Sequence, residues 1–526
     1  MALEAGATAR RSRSPARSAV ALESWALSAL LSSLIAAWFV SQSTEFQHWF
    51  LVPLLLCGTV IGKDAVDWLR GRLGVFDPAG IMGLFGYHFF FVSALLTVWY
   101  GTSEFWWAVT PPPDWRDWLG WMAILNLLGL GVYRLTRSLP LVRSRRRTVR
   151  SVWRLDRGRF WRIWLMAAPL LGLFLAVLLI KMGGLRAYVA AKTLTFGPGG
   201  DKSMRVGAGT GWLATFAERL PIVLWLGVVV HLHDRRKLPG WTAIGLGLAA
   251  VFLMQLLIAG PRGSRMAVLL PVLEAITLVH FLVRPVPRKA IIGGAAAMML
   301  LVWVGGFYKA AGLEGLRAVL SSEARARLSE ESGRDLARVL TEDLSRAAGQ
   351  GYILYRVTRP GSDYVYSLGR TYLAALVQPV PHALWPDKPL AKHLEVAQAM
   401  FGIRATEEGM LSHRVVGLAG EAILNFSPLA VPLSFAVLGL IVASVRRWVA
   451  EWGPDDARLL FAGLLIPLAV KVLAADSSNL TISLFRYGVT VFPIIYLSAR
   501  RYRVRIAGPW SGAGRRVIAS RSAAQC

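Results

Sequence analysis

The chain has 526 residues, 55% of them hydrophobic and only 17% charged, with a mean hydropathy of +0.48. That balance excludes a disordered or ordinary soluble protein and places the chain in the polytopic membrane class. The formal net charge is +28, but the basic residues cluster between apolar runs, where cytoplasmic retention of Lys and Arg accounts for them; nucleic acid is not an expected partner.

Residues 1–19 are rich in Ser, Ala and Arg and read as a basic cytoplasmic tail. The first apolar run, 21–42, lacks a small-residue cleavage site and reads as a retained anchor. Further runs follow at 49–62, 81–100, 118–135, 161–180, 217–232, 241–259, 266–283, 290–308, 428–445, 457–475 and 481–498. Most approach the ~20 residues that cross the hydrocarbon as helix. In lipid each segment must satisfy its own backbone groups, so the expected fold is all-α, with about twelve spans. Residues 20–308 hold about nine of them, 309–427 form one long external loop, 428–498 hold the last three, and 499–526 form a second basic tail.

The basic segments Arg143–Arg162, His233–Lys237, Arg284–Lys289, Arg446–Arg447 and the tail after Arg500 all fall on one face if both termini are cytoplasmic. Ser43–His48, Gly101–Asp117, Lys181–Glu218 and Lys309–Phe426 then face outward. Trp106, Trp107, Trp115, Trp118 and Trp121 crowd that outer rim, as an interfacial belt would. The outer hairpin GPRGSR, Gly260–Arg265, breaks the rule with Arg262 and Arg265. Cations there are costly and point to function, with snorkelling to lipid headgroups as the alternative. In the long loop, Leu313, Leu316, Val319 and Leu320, then Leu336, Val339, Leu340 and Leu344, recur near helical spacing. They predict two amphipathic helices lying on the rim or capping a site.

Some classes of chemistry have no motif. Cys57 and Cys526 are far apart in the predicted topology, so no disulfide is expected. No CxxC, HExxH or GxxxxGK pattern occurs, so no metal, cofactor or nucleotide is expected. The chain halves before and after Gly260 show no internal repeat.

Two strings carry the specific signal. YSLGRTYLAALVQPVPHALWPDKP runs from Tyr366 to Pro389, and HRVVGLAGEAILNFSPLAVPLSFAVLGL from His413 to Leu440. Prolines stiffen the first around Trp385, Asp387 and Lys388. Over about Ser362–Leu440 the chain resembles the bacterial O-antigen and capsule repeat-unit polymerases, the Wzy-like group. Gly369, Arg370, Thr371, Tyr372 and Leu373 match one family motif. Pro381, Leu384, Trp385, Pro386, Lys388 and Pro389 match a second, and Gly420, Glu421, Asn425 and Phe426 a third. The GPRGSR hairpin and Gly183–Lys192 also look like family features. His382 stands where an arginine is usual, and Ser427-Pro428 where a glycine is usual.

The resemblance implies a metal-independent glycosyltransferase of the inner membrane with an outward-facing site. Its substrate would be an oligosaccharide on undecaprenyl pyrophosphate, and flippase and chain-length regulator proteins would be its partners. A leaving pyrophosphate calls for forked, permanently charged donors. Arg262, Arg265, Arg370, Arg414, Lys388 and Arg486 are the candidates, each with an ion pair or headgroup contact as the alternative. Tyr372, His382 and Trp385 are further candidates for substrate contact. The attacking hydroxyl needs a proton acceptor, and Glu421 and His382 are the candidates. Glu421 has a second reading, an ion pair with Arg414 seven residues earlier on one helical face. Asp387 reads as a partner of Lys388 or a turn cap. An O-antigen ligase with the same donor, and a lipid-glycan flippase or transporter, stay open as alternatives.

Overall fold

The structure, a computed structural model, describes residues 15–101, 109–139, 149–188, 210–235, 239–260, 265–332, 340–341, 344–381, 384–389, 392–412, 414–453 and 455–505. Arg262, His382, Trp106, Trp107, Leu336, Val339 and Cys526 lie outside the described residues, as does the side chain of Arg265.

The protein is all-α apart from one two-stranded ribbon. Helix occupies every apolar run predicted as a span. Among the described residues, seven helices are long and apolar enough to cross a membrane: Ala21–Gln42, Pro78–Tyr100, Trp115–Ser138, Arg157–Lys181, Gly211–Asp234, Trp241–Ala259 and Ala430–Glu451. An eighth is added if the pair Ser477–Val489 and Val491–Ser498, bent by 43°, is one span. Two of the other runs fall short for local reasons. Helix Leu51–Leu69 carries Lys63, Asp64 and Asp67. The run 457–475 is divided into Arg458–Leu465 and Leu468–Ala474, with Pro467 at the break. Leu165, Leu170, Leu173 and Ile180 all lie exposed along Arg157–Lys181. Such a surface suits lipid, as a multi-pass membrane architecture requires.

Helices Trp115–Ser138 and Ala430–Glu451 pack through small residues. A Cβ on Gly439 would come within 2.7 Å of the Tyr133 carbonyl, and Gly129 seats the Phe435 ring. Backbones approach this closely only where side chains are small. Nearby, the buried Asp64 is held by Arg134 at 2.8 Å and Arg137 at 2.7 Å.

Segments predicted on the basic face meet one another. Strands Val149–Leu155 and Ala499–Arg505 pair antiparallel, from Val149 opposite Arg505 to Leu155 opposite Ala499. Arg157 bridges Asp234 at 2.9 Å, Arg288 donates to the Trp68 carbonyl at 3.0 Å, and Arg446 bridges Asp77 at 2.9 Å. Residues 499–505, the start of the second basic tail, form the second strand of this ribbon. Cysteines introduced at Arg154 and Arg503, both exposed, are therefore expected to react with an impermeant maleimide from the same side of sealed vesicles. Labelling from opposite sides would break the register.

The long polar interruption is more helical and more buried than expected. Helix Arg288–Ala318 runs ten residues past the predicted span end at 308. Past the predicted amphipathic pair, helix Ala347–Thr358 is buried, with Gln350, Gly351, Tyr352, Ile353, Leu354 and Val357 all inside. It packs between Trp115–Ser138 and Gly417–Phe426. The interruption thus forms part of the protein core, together with Arg370–Val377 and His393–Phe401.

Candidate functional site

The two family-like strings converge on one buried polar centre. Helix Gly417–Phe426 places Glu421 and Asn425 one turn apart on a single face. Glu421, 2% exposed, accepts from Thr371 Oγ1 at 2.9 Å, from the Ser477 amide at 2.7 Å and from Ser477 Oγ at 2.5 Å. Asn425 Nδ2 donates to Thr371 Oγ1 at 2.7 Å and to the Glu421 carbonyl at 2.8 Å, while its Oδ1 accepts from the Gly369 amide at 3.0 Å.

The turn that delivers Thr371 is strained. Leu368 has φ 45° and Gly369 φ 90°, so a side-chain-bearing residue occupies the left-handed region beside the glycine that suits it. Two backbone bonds hold the turn against the neighbouring helix: Ser367 N to Leu424 O at 3.1 Å and Leu368 N to Asn425 O at 2.9 Å. Helix Arg370–Val377 starts there, and Tyr372 stacks on Phe426 at 6.3 Å between ring centres.

Two helices in this centre cap each other. Asp476, buried just before helix Ser477–Val489, accepts from the Val416 and Gly417 amides at 3.0 Å each, at the start of Gly417–Phe426. Glu421 in turn accepts from Ser477, the first residue of Ser477–Val489. Each carboxylate sits at the positive end of the other's helix and accepts from its first free amides. Lys392 Nζ closes the arrangement by bonding the Asp476 carboxylate and the Arg414 carbonyl, the latter at 2.6 Å. Burial pushes the Lys392 ammonium down to about 7, against the pull of Glu421.

The remaining predicted residues distribute around this centre. Arg370 Nε donates to the buried Glu395 at 2.8 Å. Lys388 Nζ donates to the Gln378 and Val380 carbonyls at 3.1 and 2.6 Å, so it finishes the Arg370–Val377 helix rather than pairing with Asp387. Trp385 is 41% exposed on the elbow. Arg414 is not on the helix of Glu421: that helix begins at Gly417, where φ is +70°, so the seven-residue spacing does not set a shared face. Arg265 opens helix Arg265–Leu282.

Arg486 belongs to a second polar group within the bundle. It meets Glu218 at 3.1 Å. Beside it the Arg219 guanidinium lies 5.1 Å from the Tyr487 ring centre, Tyr487 Oη bonds Glu274, and Lys471 Nζ donates to Ser483 Oγ at 2.6 Å. Arg219 and Glu274 are buried. Helix Ser477–Val489 joins the two groups, with nine residues and about 13 Å from Ser477 to Arg486. Arg219, Glu274 and Lys471 went unmarked in the sequence reading, although a lone charge within an apolar run is a visible signal. Ser477, Asp476 and Lys392 had no such signal, whereas Thr371 lies in the first of the two quoted strings.

Among the described residues no group of His, Cys, Asp or Glu is arranged to hold a metal ion. No family model matches the chain, and neither a curated protein nor a solved structure is significantly similar to it.

Proposed function

We propose that the protein is a polysaccharide polymerase with about twelve spans, joining undecaprenyl-pyrophosphate-linked repeat units at the outer face of the cytoplasmic membrane. The observation that carries this reading is the convergence of the strings around Gly369–Thr371 and Glu421–Asn425 on one buried centre. In the reaction a sugar hydroxyl oxygen of one unit attacks the anomeric carbon of the other chain. The bond from that carbon to pyrophosphate oxygen breaks, the lipid pyrophosphate leaves as an anion, and the hydroxyl proton passes to a base. Arg265, Arg414 and Arg262 are the proposed cations for the leaving group, acting as charge develops on it.

Three donors already converge on Glu421. We therefore give Glu421 the task of holding Thr371 and Ser477 in place, and a proton-accepting role only if one of those donors is displaced by substrate. A second reading is favoured by the bent pair Ser477–Val489 and Val491–Ser498 with its buried ionisable neighbours. Broken helices beside charged groups are a transporter's way of building a substrate site.

Purified protein in lipid vesicles, given a lipid-linked repeat unit, separates the possibilities. The expected result is a ladder of lengthened glycans. One transfer to a different acceptor lipid with no ladder would indicate a ligase. Movement of intact substrate between leaflets with no new bond would indicate a flippase.

A further inference from the structure

A cavity of about 350 Å³ lies between the loop Val109–Pro113 and the end of helix Ala347–Thr358. Its volume is at the lower end of the range for small-molecule sites. Pro111, Pro112 and Pro113 make one stiff apolar wall. Tyr352 and Tyr355 make the other, and Tyr355 is held edge-on by Trp118 at 5.3 Å.

Arg356, in the last turn of the helix, and Arg359, its C-cap, also line it. Arg356 is partly committed: its Nε donates to the Ala399 carbonyl at 3.2 Å, and Nη2 reaches Asp363 at 3.5 Å. Arg359 is less so. Its guanidinium carbon is 5.6 Å from the Tyr355 ring centre, Nη1 reaches Tyr355 Oη only at 3.5 Å, and its buried Nε has no hydrogen-bond partner. Asp363 spends its other oxygen on the Ile403 amide at 3.2 Å. Two guanidinium groups thus face one carboxylate, leaving a positive site with an unsatisfied buried donor. Native structures rarely leave such a donor without an acceptor.

We infer that this cavity binds a sugar bearing a carboxylate, a uronic acid residue. The carboxylate supplies the flat pair of acceptors that a guanidinium fork matches. The sugar's C–H face supplies the apolar surface that the tyrosine and proline walls need. The lining's polar side chains are Thr110, Tyr352, Tyr355, Arg356 and Arg359, a set of hydrogen-bond donors suited to holding an anion. Gln350, on the same helix, donates to the Val416 carbonyl at 2.8 Å, beside the Glu421 helix. Nine residues separate Gln350 from Arg359, the C-cap of that helix, so the cavity lies about 13 Å along the helix from the Glu421 centre. Such a ligand rests on the glycan reading proposed above, and a binding measurement without turnover keeps the two separable.

The test is ligand-observed NMR or calorimetry on the full chain in nanodiscs, with methyl glucuronide and methyl glucoside as probes. The glucuronide is expected to bind saturably and the glucoside at least tenfold more weakly. Arg359→Gln should weaken glucuronide binding at least tenfold at an unchanged thermal midpoint, Arg359→Lys less, and the exposed control Arg404→Gln not at all. Equal binding of the two sugars, or full affinity in Arg359→Gln, would overturn the assignment. Displacement of the glucuronide by inorganic phosphate at equal concentration would also overturn it, in favour of a simple anion site.

Discussion

Glu421→Gln is expected to slow chain extension about 100-fold or more, the scale of losing a group that positions or moves a proton in the transition state. The amide cannot reproduce the carboxylate. Its nitrogen would face either the Ser477 N–H, which is donor against donor, or the Thr371 and Ser477 hydroxyls, which would have to turn round. The Ser477–Val489 helix would also lose a charged cap. A stability loss of about 1–3 kcal/mol should accompany the change. The measurement is initial rate against lipid-linked donor concentration, alongside a thermal midpoint for the same preparation. A fall in kcat with little change in KM is the expected outcome. Normal extension in a variant that is only less stable would reduce Glu421 to a helix cap and remove it from the reaction.

The largest effect on folding is expected at Asp476. Asp476→Ala deprives the Val416 and Gly417 amides of their acceptor and leaves the Lys392 ammonium without its carboxylate. Breaking a buried pair this way costs about 3–5 kcal/mol, and little correctly folded protein should survive detergent extraction. Lys392→Met should be milder, because Asp476 keeps both amides. The double variant should lose less than the sum of the single ones, since its buried ammonium is gone.

The apolar runs made the helices legible because a long uninterrupted hydrophobic stretch has few other solutions. What hid the core role of Ala347–Thr358 was its own composition. Gln350 and Arg356 interrupt the apolar pattern, yet each spends its polar group on a backbone carbonyl, and bonds of that kind leave no periodicity to read. The short motifs led to Thr371, Glu421 and Asn425 because those residues lie within the quoted strings. Ser477, Asp476 and Lys392 complete the same centre from outside the motifs, as ordinary polar residues at helix ends. Arg414 shows the limit of counting along a helix: a glycine with φ +70° at Gly417 resets the direction of the chain before Glu421 is reached.

The ribbon between Val149–Leu155 and Ala499–Arg505 has a bearing on biogenesis. Its first strand emerges from the ribosome early, its second only after the last helices. Until then the early strand carries an open edge that any extended segment could join. When the late strand arrives, its backbone bonds zip shut a loop containing every helix from Arg157–Lys181 to Val491–Ser498. The ribbon is thus a clasp that fastens last, and its closure marks a chain whose intervening helices have been laid down in full.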